Sequence, residues 1–277
     1  MLQIAFSLII LNSMGIERAL FNRSRLLLGD ECMDRLSKAK VIIFGVGGVG
    51  SWCAEALIRT GISHLTIVDS DRVCITNVNR QLMADTTTIG MVKVEALKKR
   101  LLDINPSAKI EARQEIFSAE TAGSFHLDEY DFIIDAIDSL KDKVSLIETA
   151  TRTNAKFFSS MGAALKIDPT RVQVAEFWKV KGCPLARALR QRFKKLKRYP
   201  AKKFKCVFSD ELLENKGNET ACGTDKCLCP KNKDVQGDPS LANHEWCSSK
   251  AQINGSLMHI TAMFGMTLAG LVINEMK

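Results

Sequence analysis

Histidine is scarce in this chain of 277 residues, which contains four. His64, His126, His244 and His259 lie far apart and join no recognisable Ser–His–Asp or Cys–His arrangement. We therefore expect packing or surface positions for them, and the sequence gives no support to a histidine-based nucleophilic site.

A secretion signal is also lacking. Residues 1–12 are apolar, but they include no basic n-region and no clear small-residue cleavage site. This pattern argues against export and favours Met14 as the true start. Nine cysteines in a chain without such a signal indicate reduced thiols in a cytoplasmic protein rather than a disulfide framework. Peripheral membrane association is a less favoured alternative.

Acidic residues are absent between positions 187 and 205, where ten Lys or Arg occur. Because the net charge of the whole chain is +8, the rest of the chain carries about −2. Ten like charges repel one another unless a polyanion neutralises them, which favours nucleic acid over an acidic protein or an anionic lipid. Aromatic residues are few in this run, so we predict contacts mainly to phosphates. The candidate residues are Arg187, Arg190, Arg192, Lys194, Lys195, Lys197 and Arg198, in and just after a helix predicted over 184–196.

A glycine-rich loop organises the first half of the chain. Residues 41–44, VIIF, form a β-branched and aromatic run that is typical of a parallel strand buried on both faces. Gly45, Gly47 and Gly50 then make G-x-G-x-x-G, and a helical pattern follows. This order places the free N–H groups of a helix N-terminus beside a phosphate chain. We predict a nucleotide site here, although the motif alone does not distinguish NAD, FAD and ATP.

Carboxylates follow two of the predicted strands. Asp69 ends the second strand, nineteen residues after Gly50, where a carboxylate meets ribose hydroxyls in such folds. Asp135 and Asp138 close the strand predicted over 130–138. A carboxylate beside a phosphate site is a candidate Mg²⁺ ligand, with helix N-capping as the alternative, and the metal role is favoured for Asp138.

Strands alternate with helices up to residue 160, with a short helix predicted over 118–125 and a longer one over 145–153, and a further strand is predicted around 172–176. This alternation predicts an α/β fold with a doubly wound, Rossmann-like, mostly parallel sheet. A basic helical and loop extension and a C-terminal apolar helix complete it. The apolar segment 253–276 approaches the length of a membrane span. However, His259, Gly265 and Gly270 favour packing within the protein, so no stable membrane insertion is expected.

Four cysteines lie in a polar stretch between 215 and 247. Their Cys-x₄-Cys-x-Cys spacing is a poor match to a zinc knuckle, although four thiols could still close a tetrahedral site. Zinc and free thiols both stay open for Cys222, Cys227, Cys229 and Cys247.

Several of these features form one ordered pattern. It comprises GVGGVGS at 45–51, Asp69-x-Asp71, Asn77-x-x-Arg80-Gln81, Ile89-Gly90-x-x-Lys93 and DAID at 135–138. The pattern resembles the ubiquitin-activating-like adenylating enzymes, the ThiF/MoeB/HesA group, over residues 23–162. Within that group the chain is similar to the branch that acts on tRNA. The supporting pieces are DAIDS at 135–139, IDPT at 167–170, PLA at 184–186 and CVFS at 206–209.

The resemblance implies an enzyme that uses ATP and Mg²⁺ to adenylate a carboxylate. In the tRNA-acting branch this is the threonyl carboxylate of N6-threonylcarbamoyladenosine beside the anticodon, which then cyclises with net loss of water. The implied ATP-binding residues are Gly45, Gly47, Gly48, Gly50, Asp69, Asp71, Asn77, Arg80, Gln81 and Lys93. The implied catalytic residues are Arg23, Arg80, Lys93 and Asp138, with Asp138 on Mg²⁺ and Arg23 reaching across from the partner subunit of a homodimer.

The resemblance also implies a division of the chain and a set of partners. Residues 1–22 would form a tail, 23–165 an ATP-binding adenylating domain, 166–252 a tRNA-binding extension, and 253–277 a helix that packs back on the core. The expected partner is tRNA, and a cysteine desulfurase or sulfur-acceptor system is a further candidate.

Three other functions stay open on sequence alone. A MoeB- or ThiF-type enzyme would adenylate the C-terminus of a sulfur-carrier protein, but paired Cys-x-x-Cys zinc motifs are absent from this sequence. An NAD-dependent Rossmann oxidoreductase would leave Asn77, Arg80 and Lys93 without a role. A non-catalytic tRNA-binding module would bind tRNA without ATP turnover. Cys206 is a weak candidate nucleophile, since cyclisation requires no enzyme thioester.

Overall fold

The computed structural model describes residues 18–217 and 254–277. These residues form a sheet of seven strands. The strands are β1 (Lys40–Phe44), β2 (His64–Val68), β3 (Lys109–Arg113), β4 (Phe132–Asp135), β5 (Lys156–Ser160), β6 (Val172–Glu176) and β7 (Lys205–Ser209). Their order is β3-β2-β1-β4-β5-β7-β6. Every neighbouring pair is parallel except β6 and β7, which are antiparallel. The prediction of a doubly wound, mostly parallel sheet is confirmed.

Helices cover both faces of the sheet. They are α1 (Asn22–Leu28), α2 (Asp30–Lys38), α3 (Gly50–Thr60), α4 (Lys93–Ile104), α5 (Leu140–Ala150), α6 (Pro184–Leu196) and α7 (Met258–Met276). Side chains alternate between the faces of a strand, so Val41 and Ile43 pack with α2, α3, α4 and α7, whereas Ile42 and Phe44 pack with α5 and α6. Burial on both sides explains why the first strand is a continuous apolar run.

Some predicted boundaries near the fourth strand are wrong. The strand expected over 130–138 ends at Asp135, and the helix expected over 145–153 begins at Leu140. Ser139 causes the early start, because its hydroxyl accepts a hydrogen bond from the Asp142 N–H at 3.5 Å and caps the helix. The helix expected over 118–125 reduces to a 3₁₀ turn, Ala122–Phe125.

The C-terminal helix α7 packs against α3. A Cβ added to Gly265 would lie 2.4 Å from the Val49 carbonyl oxygen, so glycine is needed where the two helices meet. Thr261 of α7 also lies beside the glycine loop, because its side chain is 3.2 Å from where a Cβ on Gly48 would be. Within the described ranges, no helix combines the length and the apolarity needed to span a bilayer.

Strands β6 and β7 belong to the same sheet as the glycine-loop strand, although both lie in the predicted tRNA-binding extension. The division of the chain into domains stays a prediction. Residues 218–253, which include Cys222, Cys227, Cys229 and Cys247, lie outside the described residues, as does most of the N-terminal tail.

Candidate functional site

The glycine loop is a tight turn between β1 and α3. Gly45 has a φ of +84°, and a Cβ on it would lie 2.7 Å from the Ala136 carbonyl oxygen. A Cβ on Gly50 would lie 1.8 Å from the Gly45 carbonyl oxygen. Both positions therefore require glycine. The loop brings the first turn of α3 to the carboxyl end of β1, which is the edge of the sheet where α/β folds bind nucleotides.

A carboxylate–lysine cluster lies beside this loop. Asp69 follows β2, and its Oδ2 accepts a hydrogen bond from the Val46 N–H at 2.8 Å. Its Oδ1 accepts another from the Asp71 N–H at 2.9 Å. Lys93, at the start of α4, places its Nζ 2.7 Å from Asp71 Oδ2 and 4.0 Å from Asp69 Oδ1. Lys93 is more than twenty residues from Asp69 and Asp71 in the sequence, and the fold brings the three side chains together.

The electrostatics of the cluster keep Lys93 charged. Burial lowers the pKa of this lysine, but the carboxylates of Asp69 and Asp71 more than offset that effect and raise it to about 12. Burial raises the pKa of Asp69, and the Lys93 ammonium and the N–H groups of Val46 and Asp71 oppose that rise. A buried ammonium held by carboxylates is suited to meet the negative charge of a phosphate chain.

Arg80 and Gln81 form a second polar group beneath the loop. Arg80 Nη1 donates to the Thr76 carbonyl and to Asn79 Oδ1, both at 2.9 Å. Burial lowers the Arg80 pKa, and the nearby Asp138 charge opposes this. Gln81 is buried, with its Nε2 3.7 Å from the place of a Cβ on Gly47. Gln81 Oε1 has no hydrogen-bond partner among the described residues, which leaves an acceptor beside the loop that a ligand group could satisfy.

Asn77 is buried, and part of its side chain is already engaged. Its Oδ1 accepts a hydrogen bond from the Cys74 N–H at 2.9 Å and so closes a 3₁₀ turn at Ile75–Asn77. The Nδ2 group is therefore the part of the side chain that could donate to a phosphate.

Asp138 and Asp135, which the sequence treats as similar candidates, occupy different environments. Asp138 is exposed in the loop after β4, and its charge acts on both Arg80 and Lys93. Asp135 is fully buried, with its Oδ2 2.8 Å from Lys143 Nζ and 2.6 Å from Ser159 Oγ. A group that is buried and paired in this way is not accessible to a metal, so the structure favours Asp138 as the candidate ligand.

Lys143 is a site-supporting residue that sequence reasoning missed. Its Nζ also donates to the Ile137 carbonyl at 2.9 Å, while the Ile137 N–H donates to Asp135 Oδ1 at 3.1 Å. The buried pair therefore holds both polar groups of the residue before Asp138. In the sequence Lys143 lies among other polar residues of an amphipathic helix, and no local signal marks it as buried.

The residues present fit Mg²⁺ bound together with phosphate. Mg²⁺ is usually held by one or two carboxylates, by waters and by substrate phosphates. In residues 18–217 and 254–277, no group of three or more His, Cys, Asp or Glu side chains could hold a metal by itself. Asp138 supplies one exposed carboxylate, and its charge acts on two cations that can bind phosphate, Arg80 and Lys93. A metal site shared between the protein and a phosphate requires such a set of groups.

Arg23 does not join the other candidate residues within one chain. It is exposed on α1, and Phe21, two residues earlier, lies against Gly61 at the far end of α3 from the glycine loop. Because α3 has 11 residues, the two ends are about 16 Å apart. α1 thus begins near the far end of α3, and the action of Arg23 from a partner subunit stays a prediction.

The basic helix α6 packs on the face of the sheet opposite to α3 and α7. It buries Ala186, Leu189 and Phe193 and exposes most of its charged residues. Two predicted binding residues have intramolecular contacts: Arg190 donates to the Phe177 carbonyl at 3.1 Å, and Arg198 pairs with Glu148. Among the described residues, no ion pair forms with Arg187, Arg192, Lys194, Lys195 or Lys197.

Cys206 is unsuited to nucleophilic catalysis. It is fully buried in β7, and burial raises the pKa of its thiol well above the usual value. A thiol in that state carries almost no thiolate near neutral pH.

Comparison with known proteins places these features in one family. Residues 21–274 match the model of the ThiF family. The chain is 41% identical over 192 residues to the tRNA threonylcarbamoyladenosine dehydratase of Bacillus subtilis, covering 69% of this chain and 74% of that protein. It is 32% identical over 264 residues to the protein of the same name from Escherichia coli, covering 94% of each.

A solved structure agrees with the sequence matches. The crystal structure of the E. coli tRNA N6-threonylcarbamoyladenosine dehydratase, TcdA, in complex with ATP superposes with a TM-score of 0.76 at 30% identity, covering 94% of both chains.

Proposed function

The chain belongs to the ThiF family, and from this premise we propose that it cyclises N6-threonylcarbamoyladenosine in tRNA at the expense of ATP. The observation that carries the proposal is the match to the ATP-bound E. coli dehydratase over 94% of both chains. The family match over residues 21–274 likewise spans β6, β7, α6 and α7, and not the nucleotide-binding half alone.

The reaction has two steps. An oxygen of the threonyl carboxylate attacks the α-phosphorus of ATP, and the bond to the β-phosphate breaks with release of pyrophosphate. A nitrogen of the same modified base then bonds to the activated acyl carbon, the bond to AMP breaks, and the nitrogen loses its proton. The modified nucleoside has lost one water in total, whose oxygen leaves on AMP. The second step is intramolecular, so proximity supplies much of its rate.

Cations at the glycine loop solve the electrostatic problem of the first step. A carboxylate that approaches a triphosphate is repelled unless positive charge neutralises the phosphates. Lys93 is held charged by Asp69 and Asp71, and Arg80 lies beside the loop. We assign phosphate binding to Lys93 and Arg80, with the Asn77 and Gln81 side chains and the loop N–H groups as further partners. Asp69 is assigned to the ribose hydroxyls and Asp71 to the orientation of Lys93.

Asp138 is the residue that would hold Mg²⁺ in this proposal. The ion would neutralise phosphate charge and orient the leaving pyrophosphate. Asp138 itself is oriented by the buried Asp135–Lys143 pair, which holds both backbone groups of Ile137.

The basic helix α6 is proposed to bind the phosphates of the tRNA. Arg187, Arg192, Lys194, Lys195 and Lys197 are exposed on or just after α6, and α6 begins beside the carboxyl end of the sheet, because Leu185 lies 3.7 Å from the place of a Cβ on Gly162. Arg190 and Arg198 already make contacts within the protein, with the Phe177 carbonyl and Glu148 respectively. Their contribution to tRNA binding should therefore be smaller.

A second copy of the chain is proposed as a further partner. Leu26 and Leu27 of α1 are 80% and 84% exposed, and they lie on the same helix as Arg23. Two adjacent, almost fully exposed leucines are unusual on a surface that stays in water. A homodimer that covers them would carry Arg23 toward the partner's glycine loop. A cysteine desulfurase or sulfur-acceptor partner stays a prediction.

AMP formation tests this proposal against the sulfur-carrier alternative. The protein should form AMP from ATP when supplied with tRNA that carries threonylcarbamoyladenosine, and it should not do so with the same tRNA lacking the modification. Stimulation by a sulfur-carrier protein with no response to modified tRNA would contradict the proposal. Binding of NAD without binding of ATP would contradict it in favour of an oxidoreductase.

A further inference from the structure

Two aromatic rings are exposed side by side on the surface formed by the end of β6 and the end of α6. Trp178 is 41% exposed and Tyr199 is 53% exposed. Their ring centroids are 6.2 Å apart, with the planes tilted by 48°. Because the two residues come from separate segments of the chain, the pair is created by the fold. The sequence run between 187 and 205 shows few aromatics, and it does not reveal that a tryptophan from another segment joins it.

The backbone around both residues is fixed. Trp178 lies in a 3₁₀ turn, Phe177–Lys179, whose start is capped because Glu176 Oε2 accepts a hydrogen bond from the Trp178 N–H at 3.1 Å. Tyr199 follows Lys197, which ends α6 in the left-handed conformation with a φ of +53°. On either side of Tyr199, the Arg198 N–H donates to the Phe193 carbonyl at 3.3 Å and the Ala201 N–H donates to Thr151 Oγ1 at 3.0 Å. These hydrogen bonds hold the backbone, so less conformational entropy would be lost on binding than from a free loop.

Core packing covers only part of the surface of the two exposed rings. The ring that fills the core at this place is Phe177, which is fully buried and stacks on Phe204 with centroids 5.0 Å apart. Trp178 packs edge-on against Phe177 with centroids 5.1 Å apart, and Tyr199 packs against Trp178, so the pair lies on the outer side of that layer. Both rings therefore keep a large part of their surface in contact with solvent, which is a common property of binding surfaces.

The surroundings of the pair are cationic. The guanidinium carbon of Arg190 lies 6.0 Å from the centroid of the buried Phe177 ring. Lys179 directly follows Trp178, Lys197 comes shortly before Tyr199, and both lysines are exposed. Two acids belong to these contacts, and each is engaged through one oxygen: Glu148 Oε2 pairs with Arg198, and Glu176 Oε2 accepts from the Trp178 N–H. The other oxygen of each is buried and has no hydrogen-bond partner among the described residues. A partner that combines flat rings with negative charge matches this surface best.

We propose that Trp178 and Tyr199 form a stacking platform for an unpaired nucleobase of the RNA substrate. This inference rests on the proposed function. Single-stranded RNA is recognised by bases that stack on aromatic side chains, while nearby Lys and Arg bind the phosphates.

The platform is not the place of the reacting adenosine. The helix α6 starts at the carboxyl edge of the sheet, beside Gly162, and ends at the opposite edge, where the Ala201 N–H donates to Thr151 Oγ1 at 3.0 Å. Its 13 residues span about 20 Å. The platform therefore takes an unpaired base remote from the chemistry, and it would supply binding energy and fix the position of the RNA along α6.

Binding of two RNA probes to the full chain tests the platform. The probes are a hairpin with an unpaired loop and a blunt duplex of the same stem. Trp178→Ala should weaken hairpin binding by roughly 5- to 100-fold, the loss expected for one stacked base, and should leave duplex binding nearly unchanged. Tyr199→Ala should act in the same direction, whereas Trp178→Phe and Tyr199→Phe, which keep a ring, should retain most of the affinity.

Controls separate stacking from other roles. Lys194→Ala removes a charge on the same helix and should weaken hairpin and duplex binding equally. A thermal melt of each variant should show the wild-type transition. Equal loss of hairpin and duplex binding in Trp178→Ala, or no loss, would overturn the platform. A change in oligomeric state without a change in RNA binding would also overturn it and assign the rings to a protein contact.

The outcome can be read independently of the proposed reaction. If the wild-type protein forms AMP with modified tRNA but the ring variants bind the hairpin normally, the platform is wrong and the function stands. If it forms no AMP with modified tRNA but hairpin binding still depends on both rings, the function is wrong and the platform stands.

Discussion

Lys93 carries its charge in a place where burying a charge is costly. It is 5% exposed, and its charge is retained because Asp69 and Asp71 raise its pKa to about 12. The ammonium therefore stays protonated at any pH near neutrality, and loss of activity on the alkaline side should not come from this residue. A cation that is already desolvated and fixed can stabilise charge in a transition state without reorganising.

Replacement of Lys93 tests this role at the scale of one residue. Lys93→Ala should reduce AMP formation by at least roughly 100-fold, because it removes a preorganised cation from the phosphates. Affinity for tRNA should stay close to that of the wild type, measured by filter binding. The matched control is Lys99→Ala, an exposed lysine on the same helix whose ion pair is with Asp103. Substantial AMP formation by the Lys93 variant would show that the assignment is wrong.

Motif order in the sequence identified part of this site and not all of it. It pointed to Asp69, Asp71, Lys93, Arg80 and Gln81, and the structure places them around one loop. The sequence does not show which of these side chains contact one another, because that depends on which strand ends and helix starts meet at the edge of the sheet. The Asn77 side chain shows the same limit, since its oxygen closes a turn. The roles of these residues stay predictions.

At the scale of elements, the loop after β4 depends on a buried ion pair. Asp135 and Lys143 are both fully buried, and together they hold the N–H and carbonyl of Ile137. A buried pair stabilises little in net terms, but removing one partner leaves an uncompensated charge.

Lys143→Met should therefore lower the free energy of unfolding by about 3–5 kcal/mol, as measured by urea denaturation. In protein that stays folded, it should also raise the Mg²⁺ concentration needed for half-maximal AMP formation, because the Asp138 loop is no longer held. Lys141→Met, on the exposed side of α5, is the control and should change stability by less than about 0.5 kcal/mol. A Lys143 variant as stable as this control would contradict the account.

The basic helix gives a second prediction at this scale. Replacing Lys194, Lys195 and Lys197 by Gln should weaken tRNA binding and reduce the slope of log K against log salt by about one for each phosphate that is no longer neutralised. Arg198→Gln should have a smaller effect on that slope, because Arg198 is paired with Glu148. An unchanged slope in the triple variant would mean that α6 does not touch the tRNA backbone.

The order of elements was more predictable than their boundaries. Alternating strands and helices indicated the parallel sheet, and the glycine loop indicated its centre. The start of α5 was misplaced because it depends on a single cap, the Ser139 side chain, and β4 ends at Asp135 rather than at 138. The antiparallel β6 was predicted as a strand, but its place at the sheet edge beside β7 results from long-range packing that local patterns do not contain.

At the scale of the whole molecule, the predicted role of Arg23 depends on a second chain. Phe21, just before α1, lies against Gly61 at the far end of α3 from the glycine loop, so we expect Arg23 to act at the site of a partner. The exposed Leu26 and Leu27 offer a surface through which two copies could associate.

Mixing two inactive variants tests this arrangement. Arg23→Ala and Lys93→Ala should each be inactive alone. In a heterodimer that shares Arg23 between subunits, one of the two sites contains both residues. After unfolding and refolding in equal amounts, the mixture should recover about a quarter of wild-type AMP formation, since about half the dimers are mixed. A mixture that stays inactive although heterodimers form would show that Arg23 does not act across the interface.

The most direct test of the central claim is nucleoside analysis of the tRNA after reaction. Modified tRNA is incubated with the protein, ATP and Mg²⁺, digested to nucleosides and measured by mass spectrometry, with Lys93→Ala as the matched control. We expect threonylcarbamoyladenosine to be replaced by a nucleoside lighter by one water, with one AMP formed per nucleoside converted and no conversion by the variant. Recovery of the modified nucleoside unchanged, with folded protein that binds ATP, would contradict it.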